Sequence, residues 1–394
     1  MGSRDSDITL PPDGEDTIGS LSWSPVSDHL AAASWDGKVR IYDVSSTSRA
    51  RRVSTLLAEQ PVLSCDWAKD GTMVIAGGTD KQIQAIQLST TQQIVIGSHD
   101  APVRGVRFVD IPGTNGPIVV SGSWDKTVRF WDMRQPGAAA VTLNCDERVY
   151  SLDAKAQLLV VATAGLRVHL VDLKNPGAFS KTVDSPLMHQ TKAVAAFPDG
   201  RGWGIASIEG RCGIQAVDED DSSDINFTFR CHRHVVDNTT DKLAATFGTS
   251  YRTASSSSSS SSSKVTKIYA VNDIQFHPMH STTMATAGSD GSFVFWDRVS
   301  RSRLTKYPPV SASASSPAAA TTERGGGDEP PAPAITATSF SRDGHFFAYA
   351  VGYDWSRGCA GNTPQTESKV MLHPVLEDEV KPKPALQSRT GRRY

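Results

Sequence analysis

The decapeptide SWDGKVRIYD at residues 34–43 recurs almost position for position as SWDKTVRFWD at residues 123–132. A third copy, GSDGSFVFWD, occupies residues 288–297. Each copy contains a small residue, a turn aspartate, a run of alternating apolar residues and a final aromatic–Asp pair. Alternation with a period of two is typical of a half-buried β-strand, and Asp and Gly before it are typical of a tight turn. The repeated unit therefore predicts a turn that leads into a strand.

Weaker copies of this unit lie at residues 77–86, 162–172 and 207–218, and another strand pattern precedes each copy. Neighbouring copies are about 40–46 residues apart where no insertion intervenes, which is the period of a four-stranded propeller blade. A seventh strand pattern begins at Ile335. We therefore expect one all-β, seven-bladed β-propeller over residues 1–376. Residues 7–10 are expected to complete the last blade, and the closed ring leaves few exposed sheet edges.

Two segments interrupt the repeats. Residues 235–264 contain the unbroken run Ser255–Ser263, and residues 308–334 are rich in Ser, Ala, Gly and Pro. Such compositions cannot bury much apolar surface, so both segments are predicted to be disordered insertions between blades. Residues 377–394 are polar and are predicted to form a flexible C-terminal tail.

Composition and charge exclude several classes of function. The formal net charge is −2, so any electrostatic binding must come from a local patch. The five cysteines are scattered without a CxxC spacing, which favours a reducing compartment. The N-terminus has no secretory signal and no run of eighteen apolar residues occurs, so we expect an intracellular protein without membrane insertion.

The repeats resemble WD repeats, and the chain resembles a narrower family, the nucleoporin-binding mRNA export factors. The stretches that carry this resemblance are AAASWD at residues 31–36, HDAPV at 99–103, GSWDKT at 122–127, SIEGR at 207–211, FTFRCHR at 227–233, YAVGYDWS at 349–356 and GNTPQ at 361–365. The spindle-checkpoint propeller, which holds checkpoint kinases at kinetochores, shares SWD, IEGR and FxFRCHR. The YDWS and GNTPQ stretches favour the export family. This resemblance implies a non-enzymatic scaffold at the nuclear pore and envelope, with some cytoplasmic shuttling.

Ser, His and Asp recur in the sequence, but a structural role is favoured over a catalytic one. WD repeats contain an Asp–His–Ser–Trp hydrogen-bond network inside a blade, which satisfies buried polar groups. The residues predicted to form such turn networks here are Asp36, His99, Ser123, Asp125, Trp131 and Asp290. No GxSxG motif supports a nucleophile, and Cys231–His234 lacks a second ligand pair. We therefore expect no enzyme, no metal and no cofactor.

Trp35 and Trp124 stand immediately before turn aspartates, on the narrow face of the predicted propeller. Other blades have Thr79, Ile208 or Ser289 there, so the scaffold does not require tryptophan. Together with Arg211, Arg230 and Arg233 they form the pattern of a binding hot spot. The resemblance implies that this face holds a glutamate-containing nucleoporin segment, whose carboxylates pair with the arginines. The alternative is that the tryptophans cap their blades and the arginines are solvated.

A second predicted interface would contact mRNA or single-stranded RNA. Arg298, Arg301, Arg303 and Lys306 lie within one short stretch, and the resemblance implies nucleic-acid contact in this region. Phe229 could stack on a base. The alternatives are a solvated charged loop and, for Phe229, a place in the core of a blade.

A further hypothesis is a substrate receptor of a cullin-type ubiquitin ligase, which would bind a ligase adaptor. It rests on the WDxR sequence at residues 131–134. The alternative is that Trp131–Asp132 ends a strand and Arg134 follows it by chance.

Overall fold

A computed structural model describes residues 2–11, 16–46, 50–114, 116–237, 264–309, 333–356, 358–359 and 368–381. These residues form thirty strands and two four-residue helices. Twenty-eight strands make seven four-stranded antiparallel sheets, and the remaining two pair with each other. The seven sheets are the blades of a seven-bladed β-propeller, so the predicted fold is confirmed.

Strand β1 (Ile8–Thr9) precedes blade 1, and in each of blades 1 to 6 the four strands follow in chain order. Blade 1 contains β2 (Ile18–Trp23), β3 (His29–Ser34), β4 (Lys38–Asp43) and β5 (Arg51–Leu57). Blade 2 contains β6 (Val62–Trp67), β7 (Met73–Gly78), β8 (Gln82–Gln87) and β9 (Gln93–Ser98). Blade 3 contains β10 (Val103–Val109), β11 (Ile118–Ser123), β12 (Thr127–Asp132) and β13 (Val141–Asn144). Blade 4 contains β14 (Val149–Lys155), β15 (Leu158–Thr163), β16 (Arg167–Asp172) and β17 (Lys181–Asp184).

Blade 5 contains β18 (Thr191–Ala196), β19 (Gly202–Ser207), β20 (Arg211–Ala216) and β21 (Phe227–Arg230), with helix α1 (Ser222–Ile225) before the last strand. The separate pair β22 (Arg233–Asp237) and β23 (Lys264–Ile268) follows it. Blade 6 contains β24 (Val271–Phe276), β25 (Thr283–Gly288), β26 (Phe293–Asp297) and β27 (Ser302–Tyr307). Blade 7 contains β28 (Ala334–Phe340), β29 (Phe346–Gly352) and β30 (Lys369–Pro374), and helix α2 (Glu377–Val380) ends the described chain.

The ring closes through the N-terminal strand, as the sequence predicted. β1 is the fourth strand of blade 7 and pairs with β30, with Ile8 opposite Leu372. Asp7 Oδ1 lies 2.6 Å from His373 Nδ1, and its other oxygen accepts a hydrogen bond from Tyr349. The last blade is therefore built from both ends of the chain.

Because the strands of a blade are antiparallel, its second-to-third turn and the connection to the next blade lie on one side of the ring. We call this side the upper face and the opposite side the lower face.

Close packing of neighbouring blades needs small residues near the upper ends of the second strands. A Cβ atom added at Gly122 would lie 2.6 Å from Leu152 Cδ2 of the next blade. At Gly77 it would lie 2.6 Å from Val103 Cγ1.

Around the central channel, side chains of one innermost strand satisfy backbone N–H groups of the next. Asp66, for example, accepts a hydrogen bond of 2.9 Å from Phe108 N. The other pairs are Ser20 with Cys65 N, Ser64 with Val106 N, Ser151 with Val194 N, Asp153 with Ala196 N and Asp273 with Thr338 N. Buried backbone donors rarely stay unpaired, so these Ser and Asp side chains help to join the blades.

The boundaries of the predicted insertions and tail differ from the structure. β22 and β23 occupy the two ends of the predicted insertion 235–264, because Arg233–Asp237 can pair with Lys264–Ile268. The chain also stays ordered beyond residue 376, since Val380 is buried and its carbonyl accepts a hydrogen bond from Thr283 Oγ1. The predicted disorder at 238–263 and 310–332, and the tail after residue 381, lie outside the described residues.

Candidate functional site

The turn of blade 3 is held by a buried network. His99 Nδ1 lies 2.8 Å from Asp125 Oδ2, and His99 Nε2 lies 2.7 Å from Ser121 Oγ. Trp131 Nε1 donates to the same Ser121 oxygen at 2.7 Å. Burial alone would raise the pKa of Asp125, but hydrogen bonds from Thr127, Asp100 N–H and His99 lower it below its ordinary value. The network therefore satisfies the hydrogen bonds of buried polar groups, which is the structural role that the sequence predicted.

Its serine, however, is Ser121 and not the predicted Ser123. Ser123 Oγ donates to the backbone oxygens of Ala101 and Pro102, at 3.0 and 2.9 Å. Both serines point to the same side of β11 because side chains alternate along a strand. Ser121 lies two residues further from the turn, where both His99 and Trp131 reach it.

Blade 6 contains the same network, with a histidine that the sequence interpretation had not assigned. His232 Nδ1 lies 2.8 Å from Asp290 Oδ1, and His232 Nε2 lies 3.0 Å from Thr286 Oγ1, which also accepts from Trp296 Nε1. His234 Nε2 lies 2.8 Å from the other oxygen of Asp290. The position of His232 after an outermost strand, like that of His99, is the signal that could have identified it.

In blade 1 an arginine takes the place of the histidine. Arg40 binds Asp36 with both terminal nitrogens, at 3.1 and 2.5 Å, and Lys38 N donates to the same carboxylate. The guanidinium is almost fully buried in this ion pair. All three predicted turn aspartates therefore brace their turns, with two kinds of partner.

The two tryptophans of the predicted hot spot lie on the upper face in different surroundings. Trp124 is 38 % exposed. Trp35 is partly buried, because its ring stacks on Trp355 with centroids 5.1 Å apart. Trp355 Nε1 donates to Thr17 Oγ1 at 3.2 Å. Trp124 is thus available to a partner, whereas Trp35 packs on Trp355 and so links blade 1 to blade 7.

The three predicted arginines converge on one turn of blade 5, residues 208–210. Arg211 and Arg230 are directly opposite each other on β20 and β21. Arg233 donates to the backbone oxygens of Glu209 and Gly210, at 2.8 and 3.3 Å. Gly210 adopts a φ of 63°, and a Cβ atom there would lie 2.7 Å from Cys231 O. Glycine therefore allows the chain leaving β21 to pass close to the turn.

Few acidic groups compensate this cluster. The carboxylate of Glu209 lies 3.5 Å from Arg211 Nε and 3.7 Å from His189 Nε2. Arg230 is exposed and makes neither a hydrogen bond nor an ion pair within the part of the chain that the structure describes. Like charges directly opposite each other destabilise a sheet, so a bound carboxylate would stabilise this region.

Large apolar side chains are exposed beside the arginines. Met188 is 85 % exposed in the connection from blade 4 to blade 5, and Val235 is 64 % exposed on β22. The exposed apolar residues on the upper face of blades 3 to 5 and on the β22–β23 pair, which we call the upper apolar set, are Trp124, Met188, Ile208, Val235, Val265 and Ile268. Exposed apolar residues near polar ones are typical of protein interaction sites.

The predicted RNA-contacting residues lie on and before β27 and in the packing between blades 5 and 6. Arg298 lies over the ring of Phe197 at 4.3 Å and donates to Ser281 O. Arg301 lies over Phe227 at 5.0 Å and donates to Asp224 O. Phe229 packs against Trp296, with ring centroids 4.9 Å apart, in the core between blades 5 and 6.

Arg303 and Lys306 lie further along β27. At about 3.3 Å per residue, Arg301 and Lys306 are separated by about 16 Å, because they flank opposite ends of this strand. Two of the four cations are also engaged with blade 5. Direct RNA contact through these residues stays a prediction.

Arg134, which carries the ligase hypothesis, is paired within its own turn. Its Nε and a terminal nitrogen lie 2.9 and 2.5 Å from the two oxygens of Asp132. This arginine lowers the pKa of Asp132 to about 2. Binding of a ligase adaptor stays a prediction.

No group of three or more His, Cys, Asp or Glu residues is arranged to hold a metal ion in the described ranges. His232 and His234 are instead engaged with Asp290, while Cys231 faces Cys212 with the sulfur atoms 3.6 Å apart. Among the same residues, no helix is long and apolar enough to cross a membrane.

Comparison with known sequences agrees with the repeat structure. Residues 8–43, 51–85, 90–132 and 260–297 match the family described as "WD domain, G-beta repeat". The first three segments each combine the outermost strand of one blade with three strands of the next. The chain is 41 % identical to the "mRNA export factor GLE2" of Chaetomium thermophilum over 99 % of this chain and 96 % of that relative. The chain belongs to the family of WD-repeat mRNA export factors.

Two further relatives match the chain at similar levels. The "Poly(A)+ RNA export protein" of Schizosaccharomyces pombe is 40 % identical, over 97 % of this chain and 93 % of the relative. The "WD40 repeat protein poxJ" of Penicillium oxalicum is 43 % identical, over 97 % of both chains. The similarity to WD-repeat mRNA export factors thus extends over nearly the whole propeller.

Proposed function

We propose that this protein is a non-enzymatic scaffold in the export of mRNA from the nucleus, and that it acts at the nuclear pore. Its upper face would hold a glutamate-containing segment of a nucleoporin. The names of two relatives refer to mRNA or poly(A)+ RNA export. The observation that carries the binding site is the convergence of Arg211, Arg230 and Arg233 on one turn beside exposed apolar residues.

The chemistry of the arginines favours an acidic partner. A guanidinium can bind a carboxylate through two parallel hydrogen bonds, and such charge-assisted pairs are stronger than neutral ones. Arg230 has its donors available, whereas Arg211 faces one carboxylate, that of Glu209. Glutamates of a bound segment would therefore compensate charge that the propeller leaves uncompensated.

The exposed apolar residues would contribute to the binding energy together with the arginines. Trp124 and Ile208 belong to the second-to-third turns of blades 3 and 5, so they are presented by rigid strands. Aromatic and arginine side chains dominate the energy of many interfaces. A segment that places apolar side chains on these residues and carboxylates on the arginines would use both features.

Isothermal titration of the full chain with a glutamate-rich nucleoporin peptide tests this function. Trp124→Ala and Arg211→Glu should each abolish detectable binding, and a tagged Arg211→Glu protein should attach more loosely to the nuclear envelope. Far-UV circular dichroism and the melting temperature should show that both variants fold.

Arg134→Ala is the matched control, because Arg134 is an exposed arginine that lies outside the upper face. It should bind the peptide as tightly as the wild type. Unchanged affinity in well-folded Trp124→Ala and Arg211→Glu would mean that the segment docks elsewhere. If Arg134→Ala instead removes a co-purifying ligase adaptor, the ligase hypothesis gains support.

A further inference from the structure

All seven innermost strands share an irregularity at the upper end of the channel. In six of them the pairing with the next strand shifts between the first and third residues, and in β28 it shifts between the second and fourth, so the residue in between is an extra one. Bulges re-aim a side chain and are frequent beside binding sites. The extra residues are Gly19, Leu63, Arg104, Tyr150, Lys192, Asn272 and Thr336. Six of them line a cavity of about 70 Å3 in the channel, Tyr150 being the exception.

Two of these residues are cations whose side chains make no direct contact with an acidic group of the described residues. Neither Arg104 nor Lys192 makes a hydrogen bond or an ion pair with the residues that the structure describes. Burial lowers the pKa of both groups, although the charges of Asp273 and Asp354 oppose this effect for Arg104 and Lys192 respectively. The nearby charge of Arg104 also lowers the pKa of Lys192. Their mutual repulsion in a partly dehydrated channel is unfavourable, since like charges disfavour each other's charged forms.

The acidic groups near these cations are bound to other partners. Asp273 accepts hydrogen bonds from Thr338 N and Oγ1, at 2.7 and 2.8 Å, and burial raises its pKa to about 6. Asp354 accepts from Ser289 Oγ, and from Asn272 Nδ2 at 3.3 Å. The channel therefore does not supply a counter-ion in contact with Arg104 or Lys192.

Asn272 contributes a hydrogen-bond acceptor to the same cavity, whereas Arg104 and Lys192 are donors. Its Oδ1 atom is buried and accepts no hydrogen bond from the described residues. A buried acceptor of this kind usually has a donor as partner. A ligand with several acceptor oxygens and one O–H group would satisfy the two cations and this oxygen together.

We infer that the upper mouth of the channel is a binding site for one oxyanion, and that Arg104 and Lys192 provide its charge. A phosphate group has the required chemistry, because it carries acceptor oxygens and, near neutral pH, a proton to donate. A cavity of about 70 Å3 suits a group of that size but not a nucleotide base. Two sources can supply the oxyanion: free inorganic phosphate, and an acidic side chain of the segment on the upper face, whose carboxylate would bind the two cations but has no O–H group for Asn272.

The first arm of the test uses inorganic phosphate and the full chain. Thermal unfolding is followed as phosphate replaces chloride at constant ionic strength, which keeps general screening fixed. The wild-type melting temperature should rise with the logarithm of phosphate concentration, as expected for a ligand of the native state. The Arg104→Gln/Lys192→Gln double variant should lose this rise, whereas Lys174→Gln, which changes an exposed lysine on the lower face after β16, should keep it.

The double variant also separates binding from folding. Without phosphate it should be at least as stable as the wild type, because it lacks two cations that burial disfavours and that have no counter-ion in contact. Lower stability of the variant in phosphate-free buffer would show that these cations are structural, which contradicts the site. An equal response to phosphate in the wild type and the double variant would overturn it as well.

The second arm identifies the source, by repeating the peptide titration in phosphate. Competition between phosphate and the peptide means that a carboxylate of the segment enters the mouth, whereas independent binding means that free phosphate occupies it. Both results support an oxyanion site. A peptide that fails to bind at all would refute the proposed function and leave the phosphate result standing.

Discussion

At the scale of single residues, buried polar networks determine the geometry of the upper turns. His99 is buried and its pKa is lowered by burial, although Asp125 opposes this effect. The neutral ring then donates from Nδ1 to Asp125 and accepts from the Ser121 hydroxyl at Nε2, an assignment made from the hydrogen-bond network. The Ser121 hydroxyl thus forms hydrogen bonds with two buried partners, His99 Nε2 and Trp131 Nε1.

Ser121→Ala should lower the free energy of unfolding by about 1–3 kcal/mol, because it leaves the Trp131 N–H and His99 Nε2 unpaired. Chemical denaturation of the wild type and the variant measures the difference. Asp184→Ala is the control for a harmless surface change, since Asp184 is 91 % exposed. Equal stability of Ser121→Ala and the wild type would contradict the role of Ser121.

At the scale of elements, the innermost strands join neighbouring blades through hydrogen bonds, but they also place carboxylates where hydration is reduced. Their Ser and Asp side chains bind the backbone of the next blade, as Asp153 binds Ala196 N at 3.0 Å. The same strands line the water-accessible channel, so carboxylates there lose part of their hydration. Asp273 shows the consequence, since burial raises its pKa to about 6 despite its hydrogen bonds.

This raised pKa gives Asp273 a stability contribution that falls as pH rises. Between pH 4 and 6 the unfolded state has lost the proton while the folded state keeps it, so the free energy of unfolding decreases with pH. Each pKa unit corresponds to about 1.4 kcal/mol, so the loss approaches about 3 kcal/mol at pH 7.

Asp273→Asn removes the ionisation and keeps an acceptor for Thr338. Relative to the wild type, it should therefore gain stability between pH 4.5 and pH 7, as measured by urea unfolding at the two values. Asp184→Asn provides the matched control and should show no such gain. A constant difference between Asp273→Asn and the wild type would rule out a raised pKa at this position.

At the scale of the whole molecule, the ring depends on a short N-terminal segment. Only two residues of β1 pair with β30, but Asp7 adds contacts to His373 and Tyr349, and Leu10 is buried. Without this segment the outer edge of β30 would be open, and open edges invite aggregation.

Deletion of residues 2–10 should therefore lower the melting temperature and increase aggregation on heating. Differential scanning fluorimetry with light scattering measures both effects. Asp5→Ala, which changes an exposed residue of the same segment, should behave like the wild type. A deleted protein that melts like the wild type would show that closure by β1 adds little stability.

The sequence by itself determined the blade. A turn followed by alternating apolar residues recurs in six copies, four of them with a turn aspartate, and a seventh strand pattern begins at Ile335. Local turn and strand preferences suffice to interpret this repeat. It also predicted the strand that closes the ring and the face on which Trp124 and Arg211 lie, because turn position fixes the face of an antiparallel sheet.

Only the tertiary structure decided which side chains are in contact when their residues are far apart in the sequence. Ser121 rather than Ser123, His232 on Asp290, and Trp35 on Trp355 all depend on packing between segments that strand periodicity does not position. Arg104 and Lys192 share a cavity although 87 residues separate them in the chain, because the closed ring places every bulge around one axis.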